Sequence, residues 1–136
     1  MTAEQTGLLQ AARAFLEAIA AGASGDDLDA FYHPDAEQTE YPNAITKELA
    51  VRNLAQLKAG SLIGRQILRS QQFEVMREHA AGDTVILEVI WTAVAAVPLG
   101  TVQQGGTLKA YFAQFFEYRD GKIFRQRNFD CFEPFA

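Results

Sequence analysis

Apolar residues recur at helical spacing near the start of the chain and at alternate positions in its second half. Leu8, Ala12, Phe15, Leu16 and Ile19 share one face of a helix predicted from about Thr6 to Ala21, with Gly22 as its stop. A short second helix is predicted from about Asp26 to Tyr32, with Asp26 as cap and Leu28, Phe31 and Tyr32 on its apolar side. His33-Pro34-Asp35 breaks it, because a residue before proline avoids the helical region. Residues 36–41 read as a short strand ended by Pro42-Asn43. A third helix is predicted from a Thr46 cap to near Gly60, with Ala50, Leu54 and Leu57 as its buried stripe. From Ser70 the period becomes two. Residues 70–79, 84–96, 106–119 and 122–132 read as four long strands rich in Phe, Val, Ile and Tyr. Ala81-Gly82-Asp83 and Asp120-Gly121 mark turns, the second a strong hairpin signal, and Val97 to Gly105 is a longer hairpin connection.

Helices first and strands afterwards define an α+β class, with a mostly antiparallel sheet packed on three N-terminal helices in the order α-α-β-α-β-β-β-β. No repeat, low-complexity tract or linker divides the 136 residues, so they form one domain, 1–136. A chain of this length buries roughly two thirds of its unfolded surface and needs neither a metal nor disulfides to fold.

Composition narrows the partners. The net charge of −5 argues against non-specific nucleic-acid binding, which draws on clustered Lys and Arg. The basic residues near the end, Arg119, Lys122, Arg125 and Arg127, read mostly as one solvated face. Cys131 is the single cysteine, which excludes an internal disulfide and fits a reducing compartment. The start is polar and acidic, unlike a signal peptide, and no apolar run approaches the ~20 residues that span a bilayer. The expectation is a cytoplasmic protein without membrane contact.

Strand parity then selects candidates. On 106–119, charged Lys109, Glu117 and Arg119 share one side with Tyr111 and Phe115, so Leu108, Ala110, Phe112, Gln114, Phe116 and Tyr118 face the helices. Gln114 is a lone amide on an apolar face. It either bonds a neighbouring side chain or trapped water, or projects into a ligand pocket. On the last strand, placing Arg125 and Arg127 outside turns Lys122, Phe124, Gln126, Asn128, Asp130 and Phe132 inward, a choice that a bulge would invert. Asp130 is then a pocket carboxylate, or else a partner of Arg127 or a cap for a backbone amide. His33 and His79 lack ligand spacing, so no metal site is expected, and both read as surface residues. Cys131 reads as a small apolar filler rather than a nucleophile. Gly105-Gly106 reads as a turn rather than a phosphate loop.

Trp91-Thr92, Pro98-Leu99-Gly100, Gly105-Gly106 and Phe116-Glu117-Tyr118-Arg119-Asp120-Gly121-Lys122-Ile123, preceded by Phe31-Tyr32-His33-Pro34-Asp35-Ala36, resemble SnoaL-like proteins of the nuclear transport factor 2-like superfamily. The resemblance covers nearly the whole chain and implies a ketosteroid isomerase-like fold: a cone-shaped, cystatin-like roll around an apolar pocket, often dimeric through the outer sheet face. The ketosteroid isomerase pattern uses an Asp base with a Tyr and a protonated Asp as oxyanion donors. The matching positions here are Tyr41, Phe15 and Gln114, so all three roles are changed. In SnoaL-type cyclases a catalytic Asp lies eight residues after the isoleucine of Asp-Gly-Lys-Ile. That position is Cys131, with Asp130 one short, and the family's tryptophan is Arg127. An epoxide-hydrolase pattern would need an Asp-Arg-Asp group, for which Asp130 is a candidate without placed partners.

Two functions follow from these residues. One is a cofactor-independent isomerase, cyclase or hydratase acting on a small, apolar, oxygenated ring compound. Asp130 is its base, Gln114, Asn128 and Tyr41 are hydrogen-bond partners, and Phe15, Trp91, Phe112, Phe116, Tyr118 and Phe132 line the pocket. The other is a homodimeric module that binds an apolar ligand without turnover. A carboxylate pointing into the pocket favours the first.

Overall fold

A computed structural model describes residues 1–135. Helix α1 (Ala3–Ala20) begins a turn earlier than its apolar stripe predicts, because Thr2 and Gln5 form a reciprocal cap, with Thr2 Oγ1 and Gln5 Oε1 each 3.0 Å from the other's backbone N. The predicted second helix is a short 3-10 turn, Gly25–Ala30, and Ser24, not Asp26, precedes it as the cap residue. Tyr32 does not belong to that helix. It opens strand β1 (Tyr32–Glu40), which runs through His33 and Pro34 instead of turning there.

The predicted third helix is displaced in the chain. Asn43 Oδ1 accepts from the backbone N of both Ile45 and Thr46, at 2.9 Å each, so Thr46 closes a turn and caps nothing. Residues Ala50–Asn53 form strand β2, and helix α2 (Leu54–Ile67) starts after an Asn53–Gln56 capping box. Ala50 therefore lies in a strand, and of the expected stripe only Leu57 is buried within α2. The remaining strands follow their predicted places: β3 (Leu68–Ala81), β4 (Thr84–Ala95), β5 (Thr107–Arg119) and β6 (Lys122–Phe132).

The six strands form one curved, unclosed sheet in the order β2-β1-β6-β5-β4-β3, parallel only between β1 and β6. This is an α+β roll of the nuclear transport factor 2-like type. Burial on β4 alternates without exception: Val85, Leu87, Val89, Trp91, Ala93 and Ala95 are inside. On β5 Leu108, Ala110, Gln114, Phe116 and Tyr118 are buried, as the parity argument requires.

Strand β6 carries the bulge that decides its facing. Glu117 pairs with Arg125, and Tyr118 pairs with Ile123, which leaves Phe124 as the extra residue. Ile123 is thus inside (1% exposed), whereas the expectation placed Lys122 and Phe124 there. Beyond the bulge Gln126 and Asn128 are buried and share their side of the strand with Asp130. Phe129 and Cys131 are exposed on the outer face, so Cys131 fills no core space.

One core cluster packs α1 on the sheet through Leu9, Ala12, Phe15 and Leu16 against Val85, Leu87 and Phe116. Full burial of Phe116 stabilises the fold by about 2–3 kcal/mol. A second cluster joins Trp91 and Leu108 to Phe132 and Phe135. There Gly100 has φ of 55°, and a Cβ on it would collide with the Phe135 carbonyl, so the close passage of the chain end requires glycine. No helix among the described residues is long and apolar enough to cross a membrane.

Candidate active site

Between the helices and the inner sheet face lies a cavity of about 420 Å³. Leu16, Leu57, Phe73 and the rings of Phe15, Trp91 and Phe112 supply apolar walls, and Gly60 on α2 adds no side chain that would fill the space. Trp91 and Phe112 stack with centroids 5.5 Å apart, and Trp91 Nε1 is satisfied by Gln71 Oε1 at 3.0 Å.

The polar wall follows from strand register. Glu40 on β1 is opposite Asn128 on β6, which is opposite Gln114 on β5. One step deeper, Arg52 on β2 is opposite Gln38, which is opposite Gln126. Asp130 follows Asn128 on the same side of β6, across from Phe112. Every one of these polar side chains comes from the sheet, whose backbone ladder fixes their spacing.

The two carboxylates are held differently. Glu40 accepts from Arg52 Nη1 at 2.6 Å and from Asn43 Nδ2 at 2.8 Å. Burial opposes its ionisation, but the hydrogen bonds from Asn43, Arg52 and Thr46 and the Arg52 charge outweigh it, so its carboxyl lies below the ordinary value. Asp130 Oδ1 is buried without a hydrogen-bond partner. Burial, and secondarily the Glu40 charge, push the Asp130 carboxyl up to about 7. A carboxyl at that value takes and returns a proton near neutrality.

Of the residues expected from sequence, Phe15, Trp91, Phe112, Gln114, Asn128 and Asp130 meet at this cavity. Four others do not line it. Tyr41 lies one residue past Glu40, on the opposite side of the chain, and stacks on Phe129 with centroids 4.3 Å apart. Phe116 is fully buried beneath Phe15. Tyr118 is buried with its hydroxyl unpartnered, and burial raises its pKa. Phe132 edges onto Trp91, Phe112 and Phe135 in the second core cluster.

Sequence reasoning missed Tyr32, Gln38, Glu40 and Arg52 as cavity residues. Alternation along residues 36–40 carried the signal for Gln38 and Glu40, because Ala36, Gln38 and Glu40 have one parity. The histidines remain outside the cavity. His33 approaches Asp120 at 3.7 Å and His79 bonds Glu88 at 2.8 Å. No group of three or more His, Cys, Asp or Glu among the described residues is placed to hold a metal ion.

Fold and cavity define a class of small α+β domains with a cavity between helices and an open, curved sheet. This chain belongs to the SnoaL-like family, whose domain model matches residues 12–126. Solved structures agree in fold. The crystal structure of AclR from Streptomyces galilaeus, a provisionally assigned hydroxylase, superimposes with a TM-score of 0.76 at 16% identity, covering 93% of this chain and 79% of that one. IdmH from Streptomyces antibioticus, a provisionally assigned polyketide cyclase, gives 0.75 at 16% identity over 90% of this chain and 91% of that one. A nuclear transport factor 2-like protein from Anabaena variabilis gives 0.69 at 19% identity over 98% and 95%. No curated protein matches the sequence.

Proposed function

We propose that this protein is a cofactor-independent acid–base enzyme, an isomerase or cyclase, acting on a small apolar ring compound that carries a carbonyl. The observation that carries the reading is Asp130 on the cavity wall, with its Oδ1 buried and without a hydrogen-bond partner. Near neutral pH the Asp130 carboxylate takes a proton from the carbon beside the carbonyl. The C–H electron pair moves into the enolate, whose oxygen is stabilised by the amides of Asn128 and Gln114, and Asp130 returns the proton to the same or another carbon. The cavity size and its aromatic walls suit a substrate of one or two rings. The polyketide cyclase assignment of a structural neighbour fits the same chemistry. Binding without turnover is the competing function, and it needs no such carboxylate.

A homodimer would cover the outer sheet face, where Met76, Tyr111 and Phe129 are exposed. Under this reading Phe129→Lys converts the dimer to a monomer in light scattering, and a wild-type monomer rejects it.

The catalytic reading is tested with 1-tetralone, a bicyclic ketone, in deuterated buffer. The wild type is expected to speed replacement of the hydrogens beside the carbonyl, read by proton NMR, and Asp130→Asn to remove the acceleration. Equal rates with and without wild-type protein would reject proton abstraction from this substrate class.

A further inference from the structure

Five side chains in the cavity wall form a hydrogen-bond chain with a single direction. Arg52 can only donate. Its Nη1 reaches Gln38 Oε1 at 3.4 Å, besides its shorter bond to Glu40. Gln38 also lies close enough to the Tyr32 hydroxyl to lower its pKa, and with its oxygen facing Arg52 the group it turns toward that hydroxyl is its NH2. Tyr32 O–H then donates to Gln126 Oε1 at 2.5 Å, and Gln126 Nε2 donates to Asn128 Oδ1 at 3.2 Å. Each acceptor in the chain is occupied from the Arg52 side, so each amide must present its NH2 to the next group.

The chain ends on Asn128, whose oxygen is taken by Gln126. Asn128 is 9% exposed, lines the cavity, and its NH2 has no acceptor among the described residues. Across the strand pair Gln114 has the opposite need: its buried Oε1 is an acceptor without a donor.

We infer that Tyr32, Gln38 and Gln126 are positioning residues that lock Asn128 with its NH2 toward the cavity, so that the site selects ligands presenting an acceptor oxygen. This deepens the proposed function and rests on the same cavity, but it makes a separate claim: the polarity of recognition is set by Arg52, four side chains behind Asn128. Without the chain, Asn128 could present either end of its amide at similar cost. With it, a carbonyl oxygen is favoured.

The test compares 1-tetralone with 1-methylenetetralin, which keeps the shape and lacks the acceptor. Dissociation constants come from calorimetry or competition, and the carbonyl stretch of bound 13C-labelled 1-tetralone comes from difference infrared spectra. Tyr32→Phe keeps the ring packing and cuts the chain. The preference for ketone over alkene is expected to fall about tenfold, and the bound carbonyl band to rise toward its frequency in an apolar solvent. Gln126→Glu at pH 8 accepts from Tyr32 and from Asn128, which turns Asn128 Oδ1 to the cavity and lowers the preference further. Asp130→Asn is expected to keep both the preference and the band position while abolishing exchange. If wild-type protein binds the ketone with the lowered carbonyl band but catalyses no exchange, the catalytic reading fails and the relay stands. If preference and band are unchanged in both chain-cutting variants, or the wild type binds neither compound at millimolar concentration, the relay assignment is overturned.

Discussion

Glu40 and Asp130 line the same cavity from neighbouring strands, yet the two ends of the polar wall treat a carboxylate oppositely. At the β1–β2 end, Arg52 and Asn43 surround Glu40 with donors and keep it ionised. At the β6 end, Asp130 faces aromatic walls, its Oδ1 meets no donor, and the charge on Glu40 adds to the cost of ionising it. The difference comes from environment and not from residue type. A paired carboxylate is a fixed charge, while an unpaired buried one is a proton carrier. Under the proposed function the pair divides the work: Glu40 holds Arg52, and Asp130 is the group that reacts.

The largest test of that division removes the reactive end. Asp130→Asn should lower exchange of 1-tetralone by about 10²–10⁴-fold, with binding of the ketone retained by calorimetry. Retained exchange would mean that the base lies elsewhere.

The next test breaks the paired end. Arg52→Met leaves Glu40 partly buried without its cation, and the fold is expected to lose about 1–3 kcal/mol in urea unfolding at pH 7. An unchanged midpoint would show that Asn43 and Thr46 suffice for Glu40.

Stability against pH sharpens the contrast in sign. The Asp130 carboxyl is raised in the folded state, so folding favours its protonated form. That contribution is complete below the unfolded value near 4 and is lost as pH rises through about 7. Replacing Asp130 by Asn should therefore stabilise the protein by about 1–2 kcal/mol at pH 8, discounted for residual solvent access, and by little at pH 4. Thermal melts of both proteins across this range check it. Glu40 behaves in the opposite way: its contribution is present above the unfolded carboxyl value and is lost as pH falls through its lowered folded one.

The smallest effect concerns the coupling between the two ends. Glu40→Gln removes the neighbouring charge, which is the lesser cause of the Asp130 shift. The pH midpoint of exchange should move down by less than about one unit and stay above the ordinary carboxylate range, because burial remains. A midpoint that fell to about 4 would make the charge, and not burial, the controlling influence.

Alternating polarity makes the four long strands readable in the sequence, and the same alternation places Gln114, Asn128 and Asp130 on the inner face. It also favours Asp130 over Cys131, although only the bulge at Phe124 explains why. In the cyclase pattern, Ile123 and the position eight residues later share parity on a regular strand. Here Ile123 is inside, and one extra residue reverses the facing, so Asp130 is inside and Cys131 exposed. The choice of Tyr41 misses by one residue at the other edge: with Glu40 inward, its neighbour must face out. Strand β2 and the start of α2 are hidden because Thr46 resembles a cap by type, while Asn43 claims its backbone N–H. Arg52 and Tyr32 join the site through the β1–β2 and β1–β6 pairings, and contacts so distant along the chain leave no local periodicity to read.

The ionisation of Asp130 itself tests the account most directly. In protein labelled with 13C at aspartate carboxyls, one resonance, missing from Asp130→Asn, should titrate with a midpoint near 7. It should shift further when 1-tetralone occupies the cavity. A midpoint for that resonance near 4, the ordinary aspartate value, would place Asp130 in contact with water or a donor and contradict its role as the buried base.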